Sequence, residues 1–340
     1  MHIPEFPKGK VLLITVDYPP KVGGVAWYYY NLVRILNTDD VHTVKVMSLV
    51  KWMLTPLWPF LIISLLLKTI TLKPDYWWVG QVLPVGTIVW LLSFFWHKPY
   101  IVSTHGMDVL VPFKSPRKQW LVGKILNRAA LITANSEWTK QKIIENYFLK
   151  YKEQDTRNKI MVIYPEPKPK REVIHEEIDV LRARLRIPVG AKVLLTVSRL
   201  VARKGIDRVM RALPYVWASM PLLHYVVVGE GEEKTLLYNL RSQFPKHDKE
   251  KIHFIGRVGE NELAVYYAIC DAFVLLPRER GSDVEGFCIV YTEANQYGMP
   301  IIGCLSGGTK EALSLCERVY TVNNPDNPIE VAQRICQAFQ

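Results

Sequence analysis

Two doubly wound α/β domains are expected from three observations. Short, β-rich apolar runs alternate with longer helical patterns along the whole 340-residue chain. The runs are apolar throughout rather than at every second position, which suits parallel strands covered on both faces. A segment rich in proline and charge, Tyr164-Pro-Glu-Pro-Lys-Pro-Lys-Arg171, cannot pair as a central strand and splits the series in two. Length agrees, since about 150 residues make a domain. A hydrophobic content of 49% with 22% charged residues is globular and excludes disordered, collagenous and coiled-coil chains.

In the first series the expected strands are Val11–Val16, Thr43–Met47, Tyr76–Val79, Tyr100–Thr104, Ala130–Thr133 and Ile160–Ile163. In the second they are Val193–Val197, His224–Val228, Ile252–Ile255, Ala272–Leu276, Ile301–Gly303 and Val319–Val322. Helices are expected over Gly205–Ala218, Glu232–Gln243, Glu260–Ile269, Cys288–Tyr297 and Pro328–Phe339. The domains are then 1–165 and 166–340, joined by a linker at about 164–172. In open α/β sheets ligands sit beyond the carboxyl ends of the strands. Two facing domains would therefore offer a cleft lined by strand-to-helix loops.

Charge is uneven. Residues 1–165 hold 20 Lys and Arg against 10 Asp and Glu, a net +10, whereas residues 166–340 hold 23 against 22. A cationic half suits an anionic partner: nucleic acid, membrane headgroups or a phosphorylated substrate. Nucleic acid ranks last, because no motif interleaves aromatic residues with basic ones. The odd set Cys270, Cys288, Cys304, Cys316 and Cys336 has no metal-site spacing and reads as buried, reduced thiols in a cytosolic protein. The first ten residues lack the apolar core of a signal peptide. Trp52–Leu67 is the most apolar stretch, interrupted by Pro56 and Pro59 and shorter than the ~20 residues of a spanning helix. A buried helix is the favoured reading there, and the other is a helix in the membrane interface with Trp52 and Trp58 at headgroup depth.

Six loops carry chemistry. Asp17-Tyr-Pro-Pro-Lys-Val-Gly-Gly24 places Gly23 and Gly24 before a helix, where backbone can approach an anion closely. His105, in His105-Gly-Met-Asp108, ends a strand. Ser198-Arg199-Leu-Val-Ala-Arg203-Lys204-Gly205 puts cations at the mouth of a helix, where they repel its dipole unless an anion lies between them. That points to a phosphate or diphosphate on Arg199 and Lys204. Gly229-Glu-Gly231 lacks the third glycine of a dinucleotide fingerprint and reads as close packing. Glu285 and Glu293 stand eight residues apart, Glu285 before a helix and Glu293 about two turns into it. Along a helix this is ~12 Å, about the reach from a sugar to the ribose of a nucleotide sugar. Ser306-Gly-Gly308-Thr-Lys-Glu311 offers backbone N–H groups at a helix start.

Together these loops resemble the retaining family-4 glycosyltransferases of GT-B fold. The resemblance covers nearly the whole chain and is tightest over 193–312, with Phe254-Ile-Gly-Arg257 among the matching pieces. Gly80-Gln-Val-Leu-Pro-Val-Gly86 and Thr104-His-Gly-Met-Asp108 look most like the phosphatidylinositol mannosyltransferase-like branch. The resemblance implies that the N-terminal domain binds the acceptor and the C-terminal domain a nucleotide sugar. Arg199 and Lys204 would hold the diphosphate in place of a metal, and Glu293 the ribose. Glu285, with the backbone of Gly286 and Phe287, would hold the sugar, and the backbone around Arg257 and Val258 the base. Gly23, Gly24, Gly307 and Gly308 would meet the phosphates, with the N–H groups of Gly24 and Gly308 on the leaving group, and His105 would lie near the reacting sugar. No cofactor is implied beyond the donor, a GDP-sugar first (GDP-mannose) and a UDP-sugar second.

The implied reaction is metal-independent front-face transfer of a hexose, mannose first, to a lipid-linked or glycan acceptor. The expected setting is cytoplasmic, peripheral on the inner face of an anionic membrane, with Lys114, Arg117, Lys118 and Lys124 as the contact. Two departures stand out. Cys288 occupies a position where the family usually has glycine. The chain also ends at Gln340, where family members usually continue into a helix that crosses back, so either it is shortened or domain closure is weaker. Competing readings are a nucleotide-sugar epimerase of similar fold and an inactive sugar-nucleotide-binding module. A phosphorylase-like reading lacks a lysine in a fitting context for pyridoxal phosphate.

Overall fold

Alternation of apolar strands and helices along the chain builds two parallel α/β units, Met1–Glu166 and Pro167–Gln340. The computed structural model describes residues 6–21, 23–37, 42–48, 58–148 and 158–340. In the first unit the elements run β1 (Gly9–Thr15), α1 (Gly24–Leu36), β2 (His42–Ser48), α2 (Trp58–Leu72), β3 (Tyr76–Val79) and α3 (Val85–Trp96). They continue with β4 (Tyr100–Thr104), α4 (Met107–Leu110), α5 (Pro116–Arg128), β5 (Leu131–Ala134), α6 (Glu137–Ile143) and β6 (Ile160–Val162). The sheet order is β2-β1-β3-β4-β5-β6, and every pairing is parallel.

The second unit runs α7 (His175–Arg184), β7 (Val193–Val197), α8 (Ile206–Ser219), β8 (His224–Val228), α9 (Lys234–Ser242), α10 (Lys246–Lys249) and β9 (Ile252–Gly256). It ends with α11 (Glu260–Ile269), β10 (Ala272–Val274), α12 (Ile289–Asn295), β11 (Ile301–Cys304), α13 (Thr309–Ser314), β12 (Val319–Val322) and α14 (Pro328–Ala338). Its order is β12-β11-β10-β7-β8-β9, again parallel throughout.

The strands β4, β7 and β8 are buried along their whole length, as unbroken apolar runs require. In the first unit, one core packs β1, β3, β4 and β5 against Leu65 of α2, Val85 and Val89 of α3, and Val122, Ile125 and Leu126 of α5. The opposite face of that sheet packs on Tyr28, Tyr29, Leu32, Val33 and Leu36 of α1. The second unit has its own core, in which α8 and α14 cover β7, β8, β11 and β12.

Sheet order locates the place where each chain direction reverses. In the first unit the chain steps from β1 outward to β2 and then returns to β3 on the other side of β1. In the second it steps from β7 through β8 to β9 and then returns to β10 on the other side of β7. The crevices beside β1/β3 and β7/β10 are the switch points where such sheets take ligands.

Two expectations change. Helix α12 starts at Ile289, so Glu293 lies a little over one turn into it, not two, and 285–288 is not helical. The stretch expected to be a buried helix is only half buried. Of it, Trp52 lies outside the described residues, and within α2 Leu65 is buried while Ile63 and Leu67 are 52% and 58% exposed. Lys68 is the one charged residue of the helix, and burial of one face leaves Ile63, Leu67 and Ile70 outside.

Candidate functional site

The loops at the switch point of the second unit meet on a buried charge cluster. Gly205, at φ 67°, turns the chain from the loop after β7 into α8, and a Cβ there would lie 1.9 Å from the carbonyl oxygen of Leu276. That contact draws the loop after β7 against the loop after β10. Lys204 Nζ lies 2.7 Å from Glu285 Oε2, and Arg203 Nε lies 3.3 Å from the same oxygen. Arg203 also pairs with Asp283. The side chains of Arg203, Lys204 and Glu285 are only 6%, 10% and 13% exposed. Burial alone would raise the Glu285 carboxyl, but the cations Lys204, Arg203 and Arg199 outweigh it and hold it below the ordinary carboxylate range. Arg199 stands exposed at the start of the same loop.

The glycine-rich segment after β11 closes the other side. A Cβ on Gly307 would lie 2.3 Å from the Glu285 carbonyl oxygen, and one on Gly308 would lie 2.0 Å from that of Gly286. The N–H of Gly308 donates to the Glu285 carbonyl (2.8 Å), and that of Gly307 to the Glu279 carboxylate (3.0 Å). Ser306 N–H donates to Thr309 Oγ1 (2.8 Å). These three amides are therefore engaged within the protein. The Gly308 N–H holds the backbone at Glu285 and is not an open donor for a leaving phosphate. Gly229 and Gly231 are packing glycines, as expected: a Cβ on either would lie 1.8 Å from Ser198 O and 2.3 Å from Leu200 O respectively.

Glu293 is held by Tyr267, whose hydroxyl donates to Oε2 at 3.0 Å, and burial raises its carboxyl above the ordinary value. Phe287 is buried, Val258 half-buried and Arg257 exposed just beyond β9. Cys288 caps α12 at φ 75°, a left-handed backbone that a β-carbon disfavours.

In the first unit, the switch point is tied by hydrogen bonds. Gln81 Oε1 accepts from Val16 N–H (3.1 Å), and its Nε2 donates to Thr15 Oγ1 (3.0 Å) and Asp17 Oδ2 (2.9 Å). Gly23 precedes α1 with no heavy atom of the described residues within 4 Å of where its Cβ would be, so its φ of 155° rather than packing favours the glycine. Gly24 is exposed as the first residue of α1.

His105 follows β4, wedged edge-on between the rings of Tyr28 and Tyr29. Its Nε2 lies 2.8 Å from the Tyr29 hydroxyl, which itself donates to the Gly80 carbonyl at 2.6 Å. A carbonyl only accepts, so the single hydroxyl proton is committed to Gly80. His105 Nε2 must then carry the proton in its bond to Tyr29, and Nδ1 is the acceptor nitrogen. Burial depresses the imidazole to about 4, with Asp17 opposing weakly, so the ring is neutral near pH 7. Asp108 accepts from the His105 N–H at 2.9 Å, and burial pushes its carboxyl up to about 6.

Three partners were not assigned from the sequence. Arg203 was counted among the loop cations without a role, although Asp283 and Glu285 supply a matching pair of acids. Tyr267 and Tyr29 orient Glu293 and His105 from 26 and 76 residues away, and no local signal marks them.

Residues 177–340 match the family described as Glycosyl transferases group 1. The chain is 25% identical over 324 residues to the GDP-mannose-dependent monoacylated alpha-(1-6)-phosphatidylinositol monomannoside mannosyltransferase of Corynebacterium glutamicum, covering 90% of this chain and 82% of that protein. It is 26% identical to the GDP-mannose-dependent alpha-(1-6)-phosphatidylinositol monomannoside mannosyltransferase of Mycobacterium tuberculosis, covering 89% and 82%. Among solved structures it resembles Anabaena Alr3699/HepE in complex with UDP and glucose, with a TM-score of 0.69, 20% identity and coverage of 98% and 90%.

Proposed function

We propose that the chain is a glycosyltransferase that moves a mannosyl unit from GDP-mannose to a lipid-linked or glycan acceptor with retention at the anomeric carbon; its GT-B fold and the match of residues 177–340 to the Glycosyl transferases group 1 family support this reading. The observation that carries this reading is the buried cluster of Lys204 and Arg203 on Glu285 at the β7/β10 switch point, with Arg199 at its rim. Lys204 and Arg203 are balanced by Glu285 and Asp283, so the net positive charge that suits a diphosphate comes from Arg199 at the rim. The two mannosyltransferase relatives, GDP-mannose-dependent enzymes of phosphatidylinositol mannosides by name, support GDP-mannose and a phosphatidylinositol mannoside as the donor and acceptor classes.

In the proposed reaction the bond between the anomeric carbon and the diphosphate oxygen breaks, and negative charge develops on that oxygen. Lys204 and Arg199 neutralise it, stabilising the transition state more than the ground state. Glu285 holds the Lys204 ammonium in place before the donor arrives and then accepts hydrogen bonds from the sugar hydroxyls. Glu293, oriented by Tyr267, accepts from the ribose. The acceptor hydroxyl forms the new bond on the same face of the sugar, and its proton passes to the departing phosphate oxygen. His105 Nδ1 accepts from a sugar hydroxyl.

The test is a transfer assay with GDP-mannose, UDP-glucose and GDP-glucose on a phosphatidylinositol mannoside acceptor, with the anomeric configuration of the product read by NMR. An α-mannosyl product from GDP-mannose is expected. Arg199→Ala and Lys204→Ala should each lower turnover by about 10²–10³. Near-wild-type turnover in both variants, or loss of activity in EDTA, would overturn the diphosphate assignment.

A further inference from the structure

We infer that residues 168–171 form a positioning strap for the donor site, holding Glu293 through the stacked rings of Tyr297 and Tyr267. The inference rests on the proposed reading of Glu293 as the ribose acceptor, and it concerns residues that this reading leaves without a role. All of them belong to the second unit.

The sequence makes the strap stiff. Pro167 and Pro169 alternate with Lys168 and Lys170, so the backbone φ on either side of Lys168 is set in advance. Its cations then pin it. Lys168 pairs with Glu260 at the start of α11. Arg171 donates to the Asn261 carbonyl at 3.2 Å and to Glu177 Oε1 of α7 at 2.8 Å. Between these anchors, Lys170 Nζ lies 5.3 Å from the centre of the Tyr297 ring, just beyond α12 and within range of a cation–π attraction.

The rings carry the strap to the carboxylate. Tyr297 stacks on Tyr267, with centroids 5.2 Å apart and planes 20° apart. Tyr267 is buried on α11, and its hydroxyl donates to Glu293 Oε2 at 3.0 Å. A phenol has one proton to give, so the way the Tyr267 ring is held decides how the Glu293 carboxylate is turned. The strap also acts on that carboxylate by charge. Burial raises the Glu293 carboxyl, and Tyr267 and then the Lys168 ammonium oppose it, so ring and cation both favour the ionised form. An ionised carboxylate in a fixed orientation is the acceptor that two vicinal hydroxyls need. Joining two units requires neither a ring stack nor an ammonium beside a half-buried acid.

The test is titration calorimetry of the full chain with GDP and with 2′,3′-dideoxy-GDP, which lacks the vicinal hydroxyls. UDP and its dideoxy form replace this pair if UDP binds the parent more tightly. Glu293→Gln should weaken the ribonucleotide about tenfold. Tyr297→Leu and Lys168→Gln/Lys170→Gln should each weaken it on the order of fivefold, and all three variants should bind the dideoxy form within twofold of the parent. Tyr297→Phe keeps the stack and should restore the parent affinity. Unchanged thermal unfolding verifies that the variants fold, and the lysine pair tests the strap even if Tyr297→Leu does not. Loss in Glu293→Gln with none in Tyr297→Leu or the lysine variant overturns the strap and leaves the ribose reading in place. Equal weakening of both nucleotides in Tyr297→Leu and the lysine variant also overturns it, as a general loss of structure. Parent-like binding by Glu293→Gln, or no binding of GDP or UDP by the parent, overturns the ribose reading and this inference with it.

Discussion

At the scale of single residues, backbone conformation and proton placement make separable predictions. Cys288 pays no visible dividend for its left-handed backbone: its buried thiol is pushed up by burial and makes no role in transfer evident. Cys288→Gly and Cys288→Ala both remove the thiol, but only glycine relieves φ 75°. The glycine variant should therefore be more stable than the alanine variant by about 1 kcal/mol in urea unfolding; equal stability would mean that the backbone there is not strained. Tyr29→Phe removes the acceptor of the His105 Nε2 proton. Imidazole ¹⁵N shifts should report the Nε2–H tautomer in the parent and a mixture in the variant, and turnover should drop roughly fivefold, the worth of about one neutral hydrogen bond. An unchanged tautomer would break the proposed link between Tyr29 and the polarity of Nδ1.

At the scale of elements, the pair at the amino-terminal ends of β8 and β9 couples packing to pH. His224 Nδ1 lies 2.9 Å from His253 Nε2, and the rings stack 5.2 Å apart. Such a bond needs one lone pair, so at least one ring stays neutral. Burial depresses both imidazoles to about 4, with Lys251 and Arg182 adding to the effect at His224, and His224 and Arg241 at His253. The unfolded chain, with histidine near 6.5, then binds more protons than the folded one between the two values. Stability from this pair is therefore complete above about pH 6.5 and is lost as pH falls toward 4. The melting temperature should decline over that window, and less steeply in His253→Gln; equal slopes would remove the pair as a cause. The elements also show what a sequence can reveal. Apolar runs and loop glycines are local signals, so the strands emerged within a residue or two, and Gly229 and Gly231 were read correctly as packing positions. The start of α12 emerged within one residue, whereas the depth of Glu293 in it was overestimated because the segment from Glu285 up to the cap is not helical. The exposed face of α2 matches the second of the two readings given for that stretch, and so few polar residues give little signal to orient the helix. Arg203, Tyr29 and Tyr267 were missed because their partners come from distant parts of the chain.

At the scale of the whole molecule, charge and proposed chemistry divide along the same line. The net +10 of residues 1–165 includes Arg117, Lys118, Lys124 and Arg128 of α5, while Arg199, Lys204, Glu285 and Glu293 all belong to the nearly neutral second unit. That unit has its own apolar core and contains the matched family segment 177–340. If its loops carry most of the donor recognition, the segment 167–340 should fold alone and keep nucleotide affinity. A cooperative melt is expected first. At GDP concentrations about 100 times the dissociation constant, bound nucleotide should then add ~2.7 kcal/mol to its stability. Titration calorimetry should place its GDP affinity within roughly tenfold of the full chain, the worth of about 1.4 kcal/mol from whatever the first unit adds. A segment that melts cooperatively yet shows no shift with GDP, while the full chain does, would move essential donor contacts into the first unit and make Gly23 and Gly24 the next residues to substitute.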